Sequence, residues 1–198
     1  MTLEWTPPLR PDPFPAPPPP QPYNVHLTRD PVAERLFEQR LVLAHGELTT
    51  ERLTQWCAAL LTLDGAGDQP IKLHLSVPDA EPGAALTLLD TIESLRAEVH
   101  VMVTGQLGGP ALVVLAGAAS RRASPNALFR LGEPRFTAEG HAEQILAQQE
   151  QHRRVLDTVY RRLAELTRRP VEEVREDARR NRHLDADEAM AYGLVGPL

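Results

Sequence analysis

The sequence predicts an α/β domain built from βαβ units, and two observations carry that prediction. Short apolar runs of strand length alternate with helical patterns over most of the chain. The composition, 198 residues of which 42% are hydrophobic, suits one domain with a sizeable core plus a tail.

Residues Arg40 to Ala44 read as a short buried strand. Thr49 to Leu63 reads as an amphipathic helix, with Thr49 or Thr50 as its N-cap. Ile71 to Leu75 alternates apolar and polar residues as a strand does; Gly83 to Leu95 is helical, and Val99 to Val103 is a further strand. Pro110 to Ala119 reads as a helix of small residues, with proline placed near its first turn. Ala127 to Leu131 is a strand, and Thr137 to Leu166 a long polar-rich helix whose length implies that part of it projects from the domain. Helices over Pro170 to Arg180 and Asp185 to Tyr192 follow, the last stopped by Gly193.

Ahead of this domain, ten of the 19 prolines fall between Pro7 and Pro22. Proline fixes φ and lacks a backbone donor, so residues 1–24 are expected to form a disordered, extended tail and residues 25–198 the folded domain. A second reading makes the tail a docking peptide with Trp5, Phe14 and Tyr23 as anchors.

A net charge of −6 argues against a general nucleic-acid binder. Arginines gather between Arg153 and Arg182, where they read as solvated helix faces or as a subunit interface. The longest apolar stretch, Pro110 to Ala119, is too short to span a bilayer, and Met1 to Arg10 does not look like a secretory signal. The single cysteine, Cys57, excludes an internal disulfide and a cysteine-rich metal site; a cytoplasmic location is the expectation.

The residues alone yield no catalytic constellation. None of the four serines (Ser76, Ser94, Ser120, Ser124) lies in a G-x-S-x-G turn, and Ser120 and Ser124 flank what reads as a basic loop. The seven histidines lack the H-E-x-x-H spacing, so no metal is expected, and His74 and His100 fall inside strands as structural histidines. Gly105, Gly108 and Gly109 follow a strand, but the one lysine, Lys72, is elsewhere, so no phosphate cradle or other cofactor site is expected.

Four segments carry a family resemblance: RLFEQRLVLAHGEL (Arg35 to Leu48), IKLHLSVPDAEPGAALTLLDTI (Ile71 to Ile92), VMVTGQLGGPALVVLAGA (Val101 to Ala118) and ELTRRPVEEVREDARRNRHLDADEAMAYGLVG (Glu165 to Gly196). In this order they resemble the proteolytic subunit of the Clp protease, a serine peptidase family. The resemblance implies the ClpP/crotonase fold, a spiral of βαβ units with a projecting helical handle over Pro134 to Leu166. It also implies a self-associating ring, a heptamer, that partners an AAA+ unfoldase.

The same alignment implies that the catalytic positions are vacant. The serine slot falls on Gly109, or on Gly108 if the gap is placed earlier. The histidine slot of I-H-Q-P falls on Gly132, and the acid slot of D-R-D on Asn181. The oxyanion loop S-P-G-G becomes Val77-Pro78-Asp79-Ala80, so Asp79 and Ala80 stand where two glycines are expected. Lys72 and His74 replace aromatics of the unfoldase-docking surface. The resulting expectation is an inactive subunit with a structural or regulatory role, beside or stacked on an active Clp protease subunit. The alternatives are an independent homo-oligomeric scaffold and a crotonase-like protein that binds acyl-CoA or peptide.

Overall fold

The structure is a computed structural model that describes residues 31–137 and 140–197. The expected proline-rich tail, with Trp5, Phe14 and Tyr23, lies outside the described residues.

A short helix α1 (Pro31–Glu38) leads into strands β1 (Leu41–His45), β2 (Ile71–Val77) and β3 (Val99–Gly108), which pair in parallel in that order. Parallel neighbours need crossovers, and helices α2 (Thr50–Ala66) and α3 (Pro82–Ser94) supply them. The period of two along β2 buries Ile71, Leu73, Leu75 and Val77 and turns Lys72, His74 and Ser76 to the opposite face. Trp56, Leu60 and Leu63 of α2, and Leu88, Leu89 and Ile92 of α3, complete the core on the buried side. Thr49 holds the N-cap position of α2 without a side-chain cap bond, and Thr50 Oγ1 instead donates to Glu81 Oε2 at 3.1 Å.

Strand β3 is longer than the expected Val99 to Val103, and its extension organises the rest of the sheet. At Gly105 φ is +76°, a backbone state that glycine adopts without penalty, and a Cβ there would lie 2.8 Å from Ser76 Oγ. Before this bend β3 pairs with β4 (Ser120–Ala123); beyond it, Gln106 to Gly108 pair with β5 (Leu128–Leu131). The expected basic loop between Ser120 and Ser124 is therefore a strand, because pairing with β3 outweighs the absence of an apolar run. β5 pairs antiparallel with β6 (Arg182–Leu184), a three-residue strand with no sequence signature of its own.

The segment expected as a small-residue helix is a 3₁₀ helix over Gly109–Gly117, buried from Gly109 to Leu115. It lies close against α3, since a Cβ on Gly117 would come within 2.9 Å of Ile92 Cγ2.

Helix α4 (Ala142–Thr167) starts later than the expected Thr137, after a capping box in which Gln144 Oε1 accepts from the His141 backbone N–H at 3.2 Å. Its 26 residues reach about 39 Å, and its buried residues (Val159, Tyr160, Leu163, Thr167) all lie in the last third. The first half, where Leu146 is 64% exposed, projects as the handle. Many late arginines pair along their own helices, Arg153 and Arg154 with Glu150 and Arg180 with Glu176. The bonds from Arg153 and Arg154 hold the Glu150 carboxyl down at about 2. Exposed pairs of this kind contribute little to stability, as solvated helix faces should.

Helices α5 (Val171–Arg179) and α6 (Ala186–Tyr192) finish the domain. Asp185 caps α6 by accepting from the Glu188 N–H at 2.8 Å, and Gly193 ends it with φ at +96°. A partly buried network ties these pieces together. Tyr192 Oη donates to Asp177 Oδ2 at 2.8 Å, Arg182 Nη1 donates to both Asp177 oxygens at 3.2 Å, and Arg169 stacks on the Tyr192 ring at 4.1 Å. Burial first, then the bond to Asp177, pushes the Tyr192 hydroxyl up, so it stays a donor. The network holds β6 in place and with it Asn181, the residue just before it. Among the described residues no helix is long and apolar enough to cross a membrane.

Candidate functional site

The ends of β3 and β5 and the residue before β6 converge on one point, and the positions singled out in the sequence meet there. A Cβ placed on Gly109 would lie 2.8 Å from Asp79 Oδ1 and 3.6 Å from the Gly132 carbonyl oxygen. A Cβ on Gly132 would lie 2.7 Å from Asn181 Oδ1. Gly109 has φ at +56°, in the left-handed region where a side chain is strained. Asn181 sits at φ +51°, a conformation that asparagine and aspartate tolerate better than most residues. Gly108 is different: a Cβ there would overlap the Pro78 carbonyl oxygen, so its missing side chain lets two backbone segments touch.

The cluster is not empty, because Arg130 fills it. This residue lies on β5 opposite Gly108 and was not among the residues singled out in the sequence. Its Nη2 donates to the Pro78 carbonyl at 3.0 Å and lies 3.5 Å from Asp79 Oδ2; its Nη1 donates to Asn181 Oδ1 at 3.2 Å. A Cβ on Gly132 would overlap that Nη1. The guanidinium therefore occupies the space that a side chain at Gly132 would take, while a side chain at Gly109 would meet the Asp79 carboxylate instead. A sequence signal existed: a charged residue in a strand, two positions before a glycine of the site.

The donors available to a developing oxyanion are few. Asp79 Oδ1 accepts the Ala80 backbone N–H at 2.9 Å, which removes that donor and leaves a carboxylate beside it. The Glu81 N–H donates to the Leu48 carbonyl at 3.1 Å, and the Leu48 N–H to the Asp79 carbonyl at 3.1 Å. Residue 110, immediately after Gly109, is proline and has no N–H. Oxyanion stabilisation requires free donors aimed at the new charge; Ala80 and Pro110 offer none.

Outside this point runs an open groove of about 820 Å³. Four carboxylates line it (Glu47, Asp79, Glu81, Glu133) against two guanidiniums, Arg130 and Arg135. Phe136 and His152 close one side with ring centroids 4.4 Å apart. Behind Gly109 and Gly132 there is only a void of about 10 Å³, walled mainly by leucine and valine, which is roughly the room of one water.

Other residues of interest have local partners. His100 Nε2 lies 3.3 Å from Glu98 Oε2. His74 is half-buried on the open sheet face, opposite Leu43 and Met102. Burial, then the neighbouring His45 and Lys72, holds its pKa below the usual histidine range. Cys57 Sγ is 3.3 Å from Thr91 Oγ1, and Ser94 Oγ donates to the Thr91 carbonyl at 2.7 Å. Among the described residues no group of three or more His, Cys, Asp or Glu is placed to hold a metal ion.

Comparison with known proteins accounts for this frame. The family model for Clp protease matches residues 26–198. The ATP-dependent Clp protease proteolytic subunit 3 of Rhizobium meliloti (strain 1021) is 30% identical over 162 residues, which cover 81% of this chain and 83% of that protein. On these two matches the chain belongs to the Clp protease family, and its six-stranded α/β architecture is consistent with the ClpP fold.

Proposed function

We propose that this chain is a catalytically inactive subunit of a ring-shaped Clp protease assembly, with a structural or regulatory role. The observation that carries the reading is the Arg130 guanidinium bonded to Asn181 and Pro78 in the space beside Gly109 and Gly132. Gly109, Gly132 and Asn181 are then the vacant serine, histidine and acid positions. Two deficits compound the loss. The Ala80 N–H is taken up by Asp79, and Pro110 has no N–H to offer. Losing one oxyanion donor lowers kcat by about 10²–10³, and replacing the acid of a working triad by asparagine by about 10⁴.

The family relationship, and the ATP-dependent protease subunit to which the chain is similar, support the rest of the proposal. The chain joins a ring, a heptamer, in the cytoplasm, beside or stacked on an active subunit that an AAA+ unfoldase serves. Lys72 and His74 on the open sheet face give this subunit a weaker share of unfoldase docking. The projecting half of α4 is the element by which rings stack.

A fluorophosphonate probe tests the inactivity, with an active Clp subunit as positive control. The purified chain is expected to take no label, and Gly109→Ser is expected to show no peptide hydrolysis above the parent, because base and acid are still missing. Hydrolysis by Gly109→Ser above the parent would overturn the assignment of Gly132 and Asn181.

A further inference from the structure

Strands β1 to β4 are all parallel, and a parallel sheet is ordinarily covered on both faces. Here α2 and α3 both pack on the side of Ile71, Leu73 and Leu75. On the opposite side, along β1, β2, β4 and β3 as far as Thr104, no residue is fully buried. The strand register sets Leu43, His74, Met102 and Arg122 side by side across this open face. Lys72 and His100 stand in the row before them. Leu43 is 44% exposed, and Lys72 and Arg122 are exposed as well.

The charge of this face is opposite to that of the whole molecule. The chain carries −6, yet the strand positions on the open side hold no carboxylate. Glu98, just before β3, lies 3.3 Å from His100 Nε2. Among the described residues, neither Lys72 nor Arg122 has an ion pair or a side-chain hydrogen bond. Two strands and one row separate them, which places their Cα atoms about 12 Å apart. Carboxylates three or four residues apart in an extended segment span that distance. Two fixed cations with no aromatic ring on the face make a poor platform for a nucleic-acid strand, whose bases need stacking. Leucine and methionine beside the cations suit a peptide instead, and opposite charges would set its register.

We propose that the open face of β1 to β4 docks an acidic segment of a partner protein. Lys72 and Arg122 pair with its carboxylates, and Leu43 and Met102 receive an apolar side chain. The docking does not depend on whether the cleft at Gly109 is catalytically active.

Fluorescence anisotropy of the full chain tests this, with a short labelled peptide of aspartate and glutamate around one central leucine. Saturable binding is expected, roughly tenfold tighter than for the same peptide with asparagine and glutamine in place of the acids. The double variant Lys72→Glu, Arg122→Glu changes two exposed side chains, and is expected to fold and to bind at least roughly tenfold more weakly. Leu43→Ala is expected to weaken binding several-fold, and only for the peptide that carries the leucine. Arg168→Glu, an exposed charge reversal at the end of α4, is expected to leave binding unchanged. No saturable binding overturns the proposal. So does binding that the double variant leaves intact, that Arg168→Glu weakens equally, or that a short oligodeoxynucleotide displaces as well as the unlabelled peptide does.

Discussion

A chain carrying Gly109→Ser, Gly132→His and Asn181→Asp together is expected to show no peptidase activity above the parent, and to be less stable. Asn181→Asp is the mildest change, because aspartate also tolerates φ near +51°. Gly109→Ser forces a side chain into the left-handed region at φ +56°, which costs about 1–2 kcal/mol. Gly132→His drives a ring into the Arg130 guanidinium, an overpacking of about 1–3 kcal/mol. The imidazole cannot reach a working orientation while Arg130 is held by Pro78 and Asn181. The oxyanion deficits at Ala80 and Pro110 persist even then. Fluorogenic peptide hydrolysis and a denaturant midpoint check both halves. Hydrolysis in the triple variant would show that the frame still supports the chemistry and that Arg130 is no obstacle.

Phe129→Ala should have the largest effect on stability, about 3–5 kcal/mol. The side chain is fully buried on β5, opposite Leu107 of β3 and Leu184 of β6. A domain of this size has only about 5–15 kcal/mol in total. The same ring underlies the segment that carries Arg130 and Gly132, so its loss loosens the cluster as well as the core. Urea denaturation measures the change; a loss below about 1 kcal/mol would mean that the site collapses around the gap, contrary to the packing described.

The parts of the fold that were legible in the sequence are those whose signal is local. The alternation in Ile71 to Leu75 reported β2 because one sheet face is buried there, and Gly193 marked the end of the last helix through cap chemistry. Strand β4 was not legible: Ser-Arg-Arg-Ala has no strand pattern and is extended only because β3 lies beside it. α1 and the three residues of β6 were missed for a similar reason, each being too short to show a period. The start of α4 was misplaced because polar residues before His141 continue the composition of the helix without its capping geometry. Gly109, Gly132 and Asn181 were located by family resemblance, not by any pattern of their own. Arg130 escaped because its role exists only through contacts with residues 51 and 52 positions away in the chain. Pro110 was in plain view, but its missing N–H acquires meaning only once Gly109 is placed at the cleft.

The central claim is that this subunit works beside an active one. A native mass spectrum of the tagged full chain, isolated from its own cells, tests it most directly. The account predicts a ring that contains both this chain and a Clp subunit with an intact triad. A pure homo-oligomer, seven-fold or otherwise, would contradict it and leave an independent scaffold or binding role in its place.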